Sequence, residues 1–268
     1  IFQPSVDEEK GKLLSEQLKV NELVAQLLLQ RSIDTEEAAR SFFRPDLANL
    51  HDPFQMKDMH RAVDRLLLAI EKEEGILLFG DYDVDGTTAV ALMFEQLSPV
   101  HQNLNYYIPD RYKEGYGLSQ AGIDFAKSEN RTLIITLDCG IKSNELVALA
   151  KEQGIDFIIC DHHQPGEKIP DAIVLDPKRS DCPYPFKELS GCGVGFKLMQ
   201  ALFHRLDISL EQLFSSLDLL ALSIGADIVD VTGENRILAY HGLKRLNDHP
   251  RLAFQELLQL AGKKLPMT

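Results

Sequence analysis

Apolar residues recur at helical spacing from Lys10 to about Phe43, at Leu13, Leu14 and Leu18 and then at Leu23, Leu27 and Leu28. The stretch DTEEAARSFF adds a capped helix starting near Asp34, since an acid or hydroxyl ahead of an acidic first turn satisfies free amides. A small helical unit is expected there. HDPFQMKDM reads as a loop or turn, and MHRAVDRLLLAIEKEEG as an amphipathic helix ended by Gly75.

Beyond Gly75 the period changes. Short apolar runs alternate with helical segments: ILLF then TTAVALMFEQL, LNYYI then SQAGIDFAKS, TLIITL then SNELVALAKEQG, followed by DFIIC and AIVL. Runs buried on both faces and separated by amphipathic helices predict an α/β fold, a parallel Rossmann-like sheet with crossover helices. After Asp176 the pattern is mainly helical again, in GVGFKLMQALFHRL, SLEQLFSSLDLLALSIG and RILAYHGLKRL. The expected organisation is a helical N-terminal region with a lead-in helix over 1–74, an α/β domain over 75–240 and a C-terminal helical segment over 241–268.

With 268 residues, 44% of them hydrophobic and 26% charged, the chain can bury a sizeable core. No apolar stretch approaches the roughly 18 residues of a membrane span, and the mostly polar IFQPSVDEEKGK lacks the basic start and apolar run of a signal peptide. The chain begins at Ile1 and stops in KKLPMT after an amphipathic stretch, so a piece of a longer protein is expected. Cys139, Cys160, Cys182 and Cys192 show no CxxC spacing, which fits small buried thiols in a reducing cytoplasm better than a disulfide framework. A formal net charge of -13, from 41 acidic and 28 basic residues, argues against coating nucleic acid by bulk charge. A local basic track remains open, because Lys178, Arg179, Lys187 and Lys197 lie close in sequence, as do Arg111 and Lys113. Such clusters are more often a solvated face.

The chemistry gathers where the apolar runs end. ILLFG is followed by Asp81, Asp83 and Asp85, TLIITL by Asp138, and DFIIC by Asp161, His162 and His163. Ligands of open parallel sheets bind beyond the carboxyl ends of the strands, so separate strands deliver these groups to one edge. Carboxylates this close repel one another unless a cation or backbone amides sit among them. An EF-hand calcium loop wants an acid at its twelfth position, which counted from Asp81 is Leu92. A P-loop is excluded by the absence of GxxxxGK(S/T), and GCGVG at 191–195 does not follow GxGxxG. Several Asp with one or two His suit Mg²⁺ or Mn²⁺, and two such ions would activate a water and offset charge on a phosphoryl group. Each acid alone reads as a cap or turn former, Asp85 for the helix at Gly86 and Asp138 for the turn at Cys139 and Gly140. Their convergence favours metal.

Smaller signals stay open between two readings. Arg111, Lys113 and Tyr116 in DRYKEGYG suit contacts to phosphate and base, and equally suit a Gly-rich surface loop. SGCGVGF, 190–196, opens a helix whose amides suit a phosphate, while close helix packing accounts for the same glycines. His51, His60, His101, His204, His241 and His249 read as structural or surface residues.

DYDVDG (81–86), LDCG (137–140), DHH (161–163) and GADIVDVTGENR (225–236) resemble the four motifs of the DHH phosphoesterase family. Within it, the helical N-terminus, LHDPFQMKDM (50–59), IPDRYKEGYGL (108–118) and TGENR are similar to the bacterial single-strand-specific DNA exonucleases. The resemblance implies a two-metal-ion phosphodiesterase that hydrolyses single-stranded DNA from the 5′ end in repair and recombination, with a single-strand-binding protein and a helicase as further partners. It also implies that Asp83 and Asp85 hold one ion each, that Asp138 bridges, and that His162 and Asp227 complete the second ion's shell. Asp81 is a further candidate ligand, His163 would face the scissile phosphate, and Asp161 would orient its neighbours. Two departures stand out: Asp230 occupies a position where relatives usually have proline, and the family's C-terminal nucleic-acid-gripping domain and oligonucleotide-binding fold have no counterpart in these residues. The alternatives are a relative acting on short oligoribonucleotides, cyclic dinucleotides or pyrophosphate, and a metal-free binding or scaffold module.

Overall fold

Residues 7–267 are described by the computed structural model, so the first residues of the stretch read for a signal peptide lie outside it. The chain divides into two compact units, one ending at Leu50 and one starting at His51. In the first, α1 (Glu8–Leu18), α2 (Glu22–Leu29) and α3 (Glu36–Phe43) are capped by Asp7, Asn21 and Thr35. The cap of α3 falls on Thr35, whose Oγ1 accepts from the Ala38 amide at 3.1 Å. Leu14, Ala25, Leu28 and Ala39 form its small core.

The second unit opens with a 3-10 turn at Pro53–Gln55 and α4 (Met59–Glu71), which packs against the strand Ile173–Leu175 and the helix Gly191–Leu206 of the same unit. The end of α4 differs from the sequence expectation: the helix stops at Glu71 with Lys72 as its cap, and Glu73 takes the left-handed conformation (φ 52) expected of Gly75. Then follow β1 (Ile76–Gly80), α5 (Val84–Leu97), β2 (Leu104–Tyr107), α6 (Gln120–Ser128), β3 (Leu133–Leu137), α7 (Asn144–Glu152), β4 (Asp156–Cys160) and β5 (Ile173–Leu175). The strands form a five-stranded, wholly parallel sheet in the order β2-β1-β3-β4-β5. β1 and β3 are buried at every residue while the edge strand β2 is half-exposed, as crossover helices on both faces require.

One face carries α6 and α7, packed through Ile123, Ala126, Val147 and Ala150 on Leu77, Phe79, Ile134 and Ile159. On the other lie α5 and α8 (Gly191–Leu206), which pack on each other and on the central strands. The segment SLEQLFSSLDLLALSIG is two helices, α9 (Leu210–Phe214) and α10 (Leu217–Asp227), broken at Ser215 and Ser216. Next, α11 runs Gly233–Asp248 and α12 runs Leu252–Leu260. The expected boundary at 240 therefore falls inside α11: nothing there breaks a helix, and Pro250 lies just past its end. All four cysteines are free and buried, and no helix among the described residues is long and apolar enough to cross a membrane.

Candidate metal centre

The strand ends are in register: Gly80 pairs with Leu137, Leu137 with Cys160 and Cys160 with Leu175. Each following residue is an aspartate, and the backbone continues the ladder, Asp81 N to Leu137 O at 3.3 Å, Asp138 N to Cys160 O at 2.9 Å and Asp161 N to Leu175 O at 3.0 Å. Asp81, Asp138, Asp161 and Asp176 thus form a row of buried acids along the carboxyl edge. Asp176 was not singled out in the sequence, although AIVL followed by Asp is the same signal as the other three. Its Oδ1 accepts from the Lys178 amide, and burial pushes its carboxyl up to about 7.

Ligand atoms fall into overlapping groups, in each of which all lie within 4.8 Å of one another: Asp81, Asp83 and Asp138; Asp85, His162 and Asp227; and Asp138, His162 and His163. His162 Nε2 stands 3.1 Å from Asp138 Oδ1, 3.6 Å from Asp227 Oδ2 and 3.7 Å from Asp85 Oδ2. Asp138 Oδ1, His162 Nε2 and Asp81 Oδ2 are buried and make no hydrogen bond. Burial, and then repulsion by Asp85 and Asp83, pushes the Asp138 carboxyl up to about 11; burial also raises Asp85 and Asp81. Left without cations, Asp81, Asp85 and Asp138 hold protons more readily than free carboxyls do, because uncompensated charge there is costly. Carboxylate oxygens and one imidazole, with donor atoms left free, are a fitting set for hard divalent cations such as Mn²⁺ or Mg²⁺.

The caps are distributed differently from the simple expectation. Asp83, not Asp85, caps α5, its Oδ1 accepting from Gly86 N at 2.9 Å. Asp85 accepts from Gly191 N at 2.7 Å, Cys192 N at 2.8 Å and Ser223 Oγ at 2.8 Å. The first amides of α8 are therefore taken by Asp85, and Gly193 N by Ser190 Oγ at 3.1 Å, which leaves the phosphate reading of SGCGVGF unsupported. Close packing explains its first glycine, since a Cβ at Gly191 would sit 2.5 Å from Asp138 Cβ. Asp138 itself is no turn former by its carboxylate, although its backbone is left-handed at φ 62.

Asp161 Oδ1 accepts from His162 N at 2.7 Å, His163 N at 3.1 Å and His163 Nδ1 at 2.8 Å, and its Oδ2 from Ile141 N at 2.8 Å. Burial works to raise this carboxyl, but the bond to His163 and the surrounding amides hold it below the usual range. The same bond raises His163. His163 is 40% exposed, and its Nε2 lies 2.9 Å from the Tyr116 hydroxyl. The loop bearing Tyr116 is built by Glu114, which accepts from Tyr107 OH, Asp110 N and Ser119 Oγ, while Gly117 N ties it to Asp81 at 3.1 Å. Arg111 sits 5.3 Å from the Tyr82 ring centre, and Tyr82 meets Tyr116 edge-on. Thus Tyr116 joins the cluster through His163, and Arg111 lies over the tyrosine that separates Asp81 from Asp83.

Neither reading of the second basic cluster holds. Arg179 is buried, bonded to Asp181, Asp58 and Val174 O, and Lys197 is fully buried against Glu234 at 2.6 Å. Lys187 bonds Cys182 O and Lys178 faces Glu188. Partners more than a hundred residues away in sequence draw the two buried cations inward, Asp58 for Arg179 and His51 O for Lys197.

A parallel α/β sheet with carboxylates and imidazoles converging at its carboxyl edge defines an α/β domain with a metal-type acidic centre. Residues 75–224 match the family model described as "DHH family, N-terminal domain", and the chain belongs to that family. It is 44% identical over 257 residues, 96% of this chain and 32% of the relative, to the single-stranded-DNA-specific exonuclease RecJ of Bacillus subtilis. A crystal structure of exonuclease RecJ bound to manganese matches at 31% identity with a TM-score of 0.71, covering 81% of this chain and 54% of that one. A Mn²⁺ complex of RecJ from Thermus thermophilus matches at 25% identity with a TM-score of 0.79, covering 98% and 37%. The chain spans about a third of the length of the curated relatives it matches.

Proposed function

We propose that this chain is the catalytic part of a RecJ-like nuclease, a two-metal-ion phosphodiesterase that removes nucleotides from the 5′ end of single-stranded DNA. The observation that carries the reading is the pair of ligand groups, Asp81/Asp83/Asp138 and Asp85/His162/Asp227, with His162 Nε2 3.1 Å from Asp138. One group would hold each ion, with Asp138 placed between them. Bound there, the ions supply an activated water and stabilise charge on the phosphoryl group. Asp161 keeps the Nδ1 edge of His163, and its Nε2, which meets the Tyr116 hydroxyl at 2.9 Å, would turn its proton to a phosphate oxygen on substrate binding. Tyr116 orients that ring by its hydroxyl, and Arg111 and Tyr82 offer a cation and a ring to the strand. A reducing cytoplasm, and work beside a single-strand-binding protein and a helicase, belong to the same reading, which the four free cysteines suit.

Asp227 and Asp230 make the test sharp. Asp227 belongs to a ligand group, whereas Asp230 is exposed and belongs to none. With Mn²⁺ and a 5′-labelled single strand, Asp227→Asn should lose activity by about tenfold or more, a barrier increase of at least roughly 1.4 kcal/mol. Asp230→Asn should stay within about threefold, as for most exposed positions. Equal losses in the two folded variants, or hydrolysis that survives a strong chelator, would contradict the proposal.

A further inference from the structure

The connection from α10 to α11 carries one cost in backbone conformation and one position that only glycine fits. Ile228, directly after Asp227, is β-branched yet left-handed at φ 57, and its side chain is 87% exposed. No burial of that side chain compensates, and such strain persists only where neighbouring structure fixes it. Gly233, at φ 45, lies so close to Phe186 that a Cβ would come within 2.7 Å of the ring.

What fixes the connection is the TGENR stretch. Asn235 is fully buried, and its Nδ2 donates to Asp230 O at 3.0 Å and to Glu188 O. One side chain thus joins the 228–232 loop to the segment that runs from Phe186 into Ser190 and the first turn of α8. That first turn gives its amides to Asp85, and Ser223, one helical turn before Asp227, bonds both Asp85 and Ser190. Next to Asn235, Glu234 accepts from His51 N at 2.9 Å, Tyr184 OH at 2.6 Å and Lys197 Nζ at 2.6 Å, which anchors the start of α11.

We infer that Asn235 is a positioning residue for Asp227: it holds the strained loop so that the Asp227 carboxylate stands in register with Asp85 and His162. The inference rests on the reading that this group holds an ion. It gives TGENR a role within the site although none of its side chains belongs to a ligand group.

Calorimetric titration of the 268-residue chain with Mn²⁺ tests it. Wild-type chain should show two binding steps, and Asn235→Ala should weaken one of them by about 10–100-fold, as loss of a ligand's support does. Arg65→Ala is the control, since Arg65 pairs with Glu74 and Asp156 at the opposite end of the sheet. It should lower the unfolding temperature without changing either step. If near-ultraviolet circular dichroism shows that Asn235→Ala is unfolded, Asn235→Ser, which keeps a donor, should show the same selective weakening to a smaller degree. Unchanged steps in the folded Asn235 variant, or the same weakening in Arg65→Ala, would overturn the role of Asn235. Absence of Mn²⁺ uptake by the wild-type chain would overturn the metal reading itself, a distinguishable result.

Discussion

At the residue scale, the centre works by assigning each carboxylate a different set of partners. Asp161 has four hydrogen bonds and stays low in pKa, while Asp138 has none at Oδ1 and is pushed up. The sequence places Asp81, Asp138 and Asp161 after strands but does not say which are satisfied by amides, because Ile141 N, 20 residues from Asp161, and Gly117 N, 36 residues from Asp81, reach them only in the fold. Nor did it reveal that Asp85 caps a helix 106 residues on. The Asp161–His163 pair makes a pH prediction. His163 is raised, so its share of stability is complete below the unfolded histidine value, about 6.5, and is lost as pH rises through the folded value. Asp161 is lowered, so its share is complete above about 3.9 and is lost as pH falls through the folded value. Asp161→Asn should therefore lower the His163 pKa, read by NMR titration of metal-free chain, and remove the pair's losses of stability below about 3.9 and above about 6.5. An unmoved His163 would show that Asp161 is not its partner.

At the scale of elements, the strands were legible because β1, β3 and β4 are apolar runs bounded by turns, and parallel burial leaves no other reading. Helix ends were less so. Hydrophobic period runs through Ser215 and Ser216, where the backbone breaks, since it follows side-chain pattern, whereas at residue 240 the period continues and so does α11. The buried polar contacts between elements were invisible for a different reason: Lys197 and Glu234 look like surface residues until their partners are known. Breaking a buried pair leaves an uncompensated charge at a cost of about 3–5 kcal/mol. Lys197→Met should therefore lower the unfolding temperature by roughly 10 °C, at about 2–4 °C per kcal/mol for a unit of this size. A fall below about 2 °C in a thermal melt would mean that the Lys197–Glu234 bond does not hold α8 to α11.

On the scale of the whole molecule, acidity and site pull in opposite directions. A net charge of -13 disfavours a polyanion, and of the two cations in the DRYKEGYG loop Arg111 stands over Tyr82 while Lys113, 84% exposed, lies 3.8 Å from Asp110. The cluster around Arg179, which sequence left as a possible track, is spent on internal pairs. Only about two or three phosphates would then be neutralised, so affinity for a single strand should fall with salt with a slope near about -2 on a log–log plot. Fluorescence anisotropy over a range of salt concentrations measures this; a slope steeper than about -5 would reveal a phosphate track that these residues do not provide.

The proposed function requires that two divalent ions be held at this sheet edge with Asp138 between them. Anomalous diffraction at the manganese edge from crystals of the chain grown with Mn²⁺ tests it directly. Two peaks should appear, one among Asp81, Asp83 and Asp138 and one among Asp85, His162 and Asp227, with Asp138 against both. A single peak, or two peaks away from these groups, would contradict a two-ion centre.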